Sequence, residues 1–566
     1  MNAPRTRFLQ RAATALAALL LALPLTGCFS TPEPRPVPPP EMRGDMNRTD
    51  TEAALERAEA DPSTGGEAME GSMSDDDAAS MGGSDTVLMR VPDDPTVSFN
   101  LWFDVGSQND PEGKEGLAFL TASLLSDAST ESRTYQEILA ALYPIASGYD
   151  ARVDKEMTTF TGRTHRDNLD TFLELYLDAL LEPRFSQEDF DRLRTNQLNA
   201  LEKNLRYAQD EELGKAALQS FVFEGTGYEH PPIGTASGLR AITLDDVKAF
   251  YAEHYTRDNV VVGLAGGYPQ SLVGELRKAL AGLGDSGRQA MVGMGEMEGD
   301  GMSIEPIAQT EVLLVSKPGA DASISFGFPI DVSRGEDDYY ALWLANSWLG
   351  EHRNFSSHLY QVIRETRGMN YGDYSYIEWF PEGGQRNVPP PNVARDHQLF
   401  EVWIRSLPNE QAHFALRAAV RELDLLVSEG MTEEEFELTR AFLSKYHLQY
   451  APTTRDRLGY AIDDLFYGID DPGHLAGFAD ALASLTVEDV NAALKRHLRA
   501  DRLKIAIVTG EAEMLKNALA VDAPSPMEYA SEKPPEVLEE DKIIQSYPLS
   551  ISGDAITIVP VDEIFE

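Results

Sequence analysis

Ten histidines and one cysteine are the side chains in this 566-residue chain best able to ligate a transition metal. The histidines are dispersed. The closest two, His352 and His358, stand six residues apart, which turns them to different faces of a helix and makes them a poor ligand pair. His165, His230 and His254 are isolated and read as surface or packing residues. Cys28 is the only thiol, which excludes an intrachain disulfide framework and any Cys-rich zinc module. Acidic residues outnumber basic ones 93 to 48, for a formal net charge of −45. That balance argues against a nucleic-acid partner, whose phosphates need a basic face, and against electrostatic docking on anionic lipid.

The elements that must position any chemistry begin well after the N-terminus. Arg5, Arg7 and Arg11 precede an apolar run from Ala12 to Leu23, too short for a comfortable membrane span. The run ends at Leu25-Thr26-Gly27-Cys28, which resembles a bacterial lipobox. The resemblance implies a signal peptide over 1–28, lipid attached at Cys28, and a membrane partner reached through that anchor. Phe29 rather than Asp follows the cysteine, which by the same resemblance favours the outer membrane. Residues 29–85 are rich in Pro, Gly and acid and hold too few large apolar residues to order themselves, so they read as a tether.

Hydrophobic residues make up 42% of the chain and aromatics 9%, enough for folded cores, and the length exceeds what one core usually supports. Strand-like runs at 87–91 and 97–103 precede apolar helical patterns at 116–125, 134–142 and 169–181. A polar helix pattern covers 187–208, another helix 244–254, and a buried strand 260–266. Residues 271–305, with many glycines, read as a linker. The pattern then restarts. Strands at 312–315 and 322–328 lead to helices at 339–349, 355–366, 411–428, 433–448 and 487–498, and a closing strand at 503–508. The expectation is α/β (α+β): two tandem homologous domains, 86–270 and 306–520, each a mostly antiparallel sheet packed with helices. Residues 521–566 read as an extended C-terminal tail docked on the body or on a partner.

The run Gly106-Ser107-Gln108-Asn109-Asp110-Pro111-Glu112-Gly113-Lys114-Glu115-Gly116-Leu117-Ala118 resembles the insulinase/pitrilysin (M16) family of zinc metallopeptidases. Lys317-Pro318-Gly319-Ala320 and Phe326-Gly327-Phe328-Pro329 are similar to that family's second-domain strands. Active members carry His-x-x-Glu-His directly after Gly-Leu-Ala, with two imidazoles on zinc and the glutamate activating water. Here Phe119 and Ser123 occupy the histidine positions and Ala122 the base position. The family's spacing to its third ligand and an alignment from Phe190-Asp191-Arg192 both land on Ala200. The zinc positions are therefore degenerate, and no cofactor is expected in this chain.

The second half keeps a different signature, Leu359-Tyr360-Gln361-Val362-Ile363-Arg364-Glu365-Thr366-Arg367-Gly368-Met369-Asn370-Tyr371. In active M16 enzymes an Arg/Tyr pair at these positions reaches the zinc site of the other domain, and some M16 enzymes are heterodimers that divide zinc and pair between subunits. The resemblance implies that Arg364 and Tyr371 complete the site of a zinc-bearing M16 partner carrying His-x-x-Glu-His. Peptide substrate would be cut there in a closed chamber. The segment Asp150-Ala151-Arg152-Val153-Asp154 stands where the family has its substrate-pairing edge strand. A catalytically inactive scaffold or peptide-binding lipoprotein is the alternative, and a stand-alone peptidase is disfavoured by the missing ligands.

Overall fold

A computed structural model describes residues 86–285, 302, 304–381 and 386–566. The signal segment, Cys28 and the tether lie outside the described residues.

Strand β1 (Thr86–Arg90) is followed by β2 (Thr96–Asp104), β3 (Gly148–Val153), β4 (Met157–His165) and β5 (Val260–Gly266). They form one sheet in the order β1-β5-β2-β4-β3, with β1 parallel to β5 and every other pairing antiparallel. The second half supplies β6 (Glu311–Ser316), β7 (Ala322–Ile330), β8 (Asp373–Tyr376), β9 (Gln398–Leu407) and β10 (Lys504–Thr509). Its order, β6-β10-β7-β9-β8, repeats the first sheet strand for strand, again with only the first pair parallel. This is the tandem duplication expected from the sequence. A final strand, β11 (Ile556–Pro560), joins the outer side of β6 and has no counterpart in the first half.

Strand alternation sets the layers. Val97, Phe99, Leu101 and Phe103 of β2 point into the helix-covered core of the first half. Asn100 and Trp102 point to the opposite face. That face is covered by a helix from the second half, α4 (Thr454–Phe466), with α1 to α3 belonging to the first half: α1 (Leu117–Ser126), α2 (Gln187–Asn199) and α3 (Asp210–Val222). Ile462 and Phe466 of α4 pack on Trp102 and Val261, with the Trp102 and Phe466 rings 5.7 Å apart. Gly263 in β5 permits this approach, since a Cβ there would stand 3.0 Å from Ile462 Cδ1. Helix α3 does the reverse and packs on β7 and β10 of the second sheet. Each half thus covers the other's inner sheet face with one helix.

Polar contacts lock the exchange. Arg395 Nε donates to Asp154 at 2.5 Å, the Asp396 amide to Glu156 at 2.8 Å, and Lys215 Nζ of α3 to the Phe380 carbonyl at 2.7 Å. Arg334 is buried and forked onto Glu378, with two bonds of 2.8 Å, and onto Asp463 of α4 at 2.9 Å.

Three expectations need correction. The linker expected at 271–305 begins with a helix, Ser271–Leu280, whose Leu272, Leu276 and Leu280 are buried in the first-half core. Their i, i+4, i+8 spacing was masked by the glycines that follow. The helix expected at 355–366 is shorter: it spans 358–365 and is π-helical over Tyr360–Glu365. The tail is not wholly extended: Pro535–Ile544 is a helix, with Val537 and Ile544 buried. After β11 the tail crosses to the first half, where buried Arg206 donates to the Ile564 carbonyl at 2.8 Å and Ala236 to the Phe565 carbonyl at 2.9 Å.

Candidate functional site

Helix α1 carries the degenerate zinc positions. Buried Asp110 accepts the Gly116 amide at 2.7 Å and the Ala118 amide at 2.6 Å, so a carboxylate caps the helix start. Gly116 has φ 106, a left-handed turn that favours glycine. Burial pushes the Asp110 carboxyl up to about 7 despite those two amides. Behind it, Lys155 is fully buried and donates to the His230 carbonyl, and burial drives its ammonium well below the usual lysine range. Burial likewise lowers His230 to about 4.

On this helix Phe119, Ala122 and Ser123 present no imidazole, thiolate or carboxylate. Phe119 and Ser123 lie one turn apart and half-buried, and Ser123 Oγ donates to the Phe119 carbonyl at 2.9 Å. Ala122 is buried in the core. Helix α1 packs beside β3 and against α2, where Gln197 Nε2 donates to the Gly116 carbonyl at 3.1 Å. Ala200 continues α2 without a break, at the start of a π-helical segment, Ala200–Ala208. A phenyl ring, two methyl groups and a hydroxyl already committed to backbone do not fit zinc, which takes imidazole, thiolate or carboxylate ligands. Among the described residues no group of three His, Cys, Asp or Glu side chains is placed to hold a metal ion. His352 bonds the Tyr376 hydroxyl at 2.8 Å, whereas His358 bonds Glu422 at 2.6 Å and stacks on Trp348.

Arg364 and Tyr371 sit at the far edge of the second sheet, before β8. The π-helical segment closes with the Thr366 amide on the Gln361 carbonyl at 2.9 Å, and Gly368, at φ 71, reverses the chain onto the Arg364 carbonyl at 2.7 Å. Asn370 pins the following loop: its Nδ2 donates to Asp373 at 2.8 Å and to the Arg405 carbonyl at 3.1 Å. A Cβ on Gly372 would stand 2.2 Å from the Tyr374 hydroxyl, so a larger residue there would displace that side chain. On this pinned loop Tyr371 is 78% exposed. The Arg364 guanidinium pairs with Glu365 at 2.9 Å and lies 5.4 Å above the Tyr360 ring.

Asp150 and Ala151 lie on β3, the free edge of the first sheet, with Ala151 toward α1 and Asp150 on the inner face. Asp154, expected at the end of that strand, lies in the following turn and bonds Arg395.

Residues 86–230 match the family model "Insulinase (Peptidase family M16)", and residues 241–443 match "Peptidase M16 inactive domain". Together they span more than half of the chain. The chain belongs to peptidase family M16. Its M16 relatives include an uncharacterized zinc protease of Streptomyces coelicolor, 25% identical over 62% of this chain and 72% of that one. Another, from Mycobacterium bovis, is 25% identical over 75% of this chain and 91% of its own length. The M16 fold also matches a crystal structure of a peptidase M16 inactive domain from Pseudomonas fluorescens, with TM-score 0.63 and 22% identity over 75% of this chain and 94% of that one. A protease from Helicobacter pylori superposes with the same TM-score of 0.63, at 19% identity, over 75% and 96%.

Sequence reasoning missed the buried Asp110, Lys155 and His230 behind α1, and the inner-face arginines described below. Asp110 falls within the M16-like run, six residues before Gly116, and that spacing is the signal that could have marked a helix cap. The others become neighbours only through strand register and the exchange of helices between halves.

Proposed function

We propose that this chain is the non-zinc subunit of a two-subunit M16 peptidase. It pairs with a zinc-bearing M16 partner and contributes Arg364 and Tyr371 to peptide hydrolysis in a shared chamber. The observation that carries the reading is Tyr371, an exposed side chain on a loop pinned by Asn370. A phenol held out in this way can donate to a developing oxyanion, and the Arg364 guanidinium, on the helical segment that precedes this loop, can pair with substrate carbonyl or carboxylate. The zinc positions Phe119, Ala122, Ser123 and Ala200, which supply no imidazole or carboxylate, support a division of labour between subunits. The free edge of β3, with Asp150 and Ala151, offers backbone for an extended peptide. Lipid on Cys28 would hold the pair at the outer membrane through the 29–85 tether. Among the described residues no helix is long and apolar enough to cross a membrane.

The inactive peptide-binding scaffold remains the second reading, favoured by the ion pair that already engages Arg364. Co-expression with an exported M16 protein bearing His-x-x-Glu-His separates the two. Stable co-elution, with zinc-dependent cleavage of a quenched fluorescent peptide by the complex only, supports the subunit reading. A partner that is fully active alone and never co-elutes would refute it.

A further inference from the structure

The inner face of the first sheet is not wholly covered by α4. Beside the free edge of β3 lies a cavity of about 630 Å³, lined among others by Gly148, Asp150, Thr161, Arg163, His165 and Arg455. Arg163 comes from β4 and Arg455 from the first turn of α4, so both halves build it. Both guanidiniums are exposed. Arg163 makes one hydrogen bond, to Thr96 Oγ1 at 3.2 Å, and neither arginine is in an ion pair among the described residues. In a chain with net charge −45, two unpaired arginines facing one groove stand out from the general field.

The nearby carboxylates do not neutralise them fully. Asp94 feels Arg163, but its oxygens are occupied by the Thr96 amide at 2.9 Å and by the hydroxyls of Thr96 and Thr454, each at 2.7 Å. Asp150 faces the groove and feels Arg455 and Arg152, but burial, followed by the charge of Asp127, outweighs them and raises its carboxyl above the usual range. Register adds access. Gly148 pairs with Arg163 across β3 and β4, and a Cβ on Gly148 would meet nothing within 4 Å. The position opposite Arg163 is therefore open to whatever lies along the edge.

We propose that this groove selects an extended peptide by an acidic side chain, seated on Arg163 and Arg455 where Gly148 leaves the edge open. The proposal rests on the reading of this chain as a peptide-binding M16 subunit and adds the charge of the substrate. A strand paired to β3 sends alternate side chains to the inner face, and a carboxylate there receives charge-assisted hydrogen bonds from arginine.

The test is fluorescence anisotropy on the full chain with three labelled peptides that differ at one central residue, Glu, Gln or Lys. The Glu peptide should bind about tenfold tighter than the Gln peptide, with Lys weakest, and added salt should narrow the gap. Arg163→Gln with Arg455→Gln should abolish the difference. Gly148→Leu, which the open space tolerates, should cover Arg163 and also remove it. Equal binding of all three peptides overturns the acidic preference and leaves the subunit reading intact. A Glu preference that survives the double arginine variant overturns the assignment of the site. Failure of every peptide to bind overturns the groove as a peptide site, while cleavage by the two-subunit complex separately reports on the subunit reading.

Discussion

Ser123 Oγ donates to the carbonyl oxygen of Phe119 at 2.9 Å, so the two positions that would hold zinc in an active M16 helix are tied to each other instead. The hydroxyl is spent on the helix's own backbone, and the ring opposite has no lone pair. The chain should therefore retain no stoichiometric zinc after dialysis against micromolar metal. Metal analysis checks this, and Phe119→His alone should not change it, because one imidazole without a second nitrogen and a carboxylate is an incomplete shell. A zinc ion per chain in the unmodified protein would overturn the reading of Phe119, Ser123 and Ala200.

Arg334 is buried between Glu378 and Asp463 and ties α4 to the rest of its own half. Arg334→Ala strands two buried carboxylates and should destabilise the chain by about 3–5 kcal/mol. The change is read as a shift in the urea midpoint. Removing the ion group more completely, with Arg334→Met, Glu378→Gln and Asp463→Asn together, should cost less than the single variant.

Arg206 fixes the end of the tail, with Nε on the Ile564 carbonyl and Nη2 on Glu566 at 3.1 Å. Arg206→Ala should cost about 1–3 kcal/mol by leaving a carbonyl unpaired. Limited proteolysis should then cut residues 556–566 sooner than in the unmodified chain. An unchanged cleavage rate would mean that β11 alone holds the tail.

Glu351 is buried, accepting Ser347 Oγ at 2.8 Å, and burial pushes its carboxyl up to about 7. Its folded value stands above the unfolded value of about 4, so its contribution is fully present below about pH 4 and is lost as pH rises through 7. Glu401 behaves alike, raised by burial to about 7 in spite of Lys215. Glu351→Gln should therefore flatten the fall in urea midpoint between pH 5 and pH 8, by an amount on the order of 2 kcal/mol. An identical fall in the variant would contradict the shift.

Strands β1, β2, β5, β6, β7 and β10 and several helices were legible because their patterns are local, whereas β4, β8 and β9 were not read as strands. Val97, Phe99, Leu101 and Phe103 alternate, and Leu117, Leu120 and Leu124 repeat at helical spacing. Helices α3 and α4 were not. They bury Lys215 and Asp463 against partners far away in sequence, so their apolar stripes are diluted by polar residues whose satisfaction no local pattern shows. The site divides in the same way. Phe119, Ala122, Ser123, Arg364 and Tyr371 could be placed from motifs, whereas the groove at Gly148, Arg163 and Arg455 exists only because one strand register meets a helix contributed by the second half.

The central claim is that Tyr371 works in a partner's site. The measurement that tests it most directly is kcat for peptide cleavage by the co-purified two-subunit complex, with and without Tyr371→Phe. Because Tyr371 is exposed, the substitution should leave folding and complex formation unchanged. Loss of one oxyanion donor should lower kcat about 100-fold or more with little change in KM. An intact complex of the Tyr371→Phe chain with undiminished kcat would contradict the account.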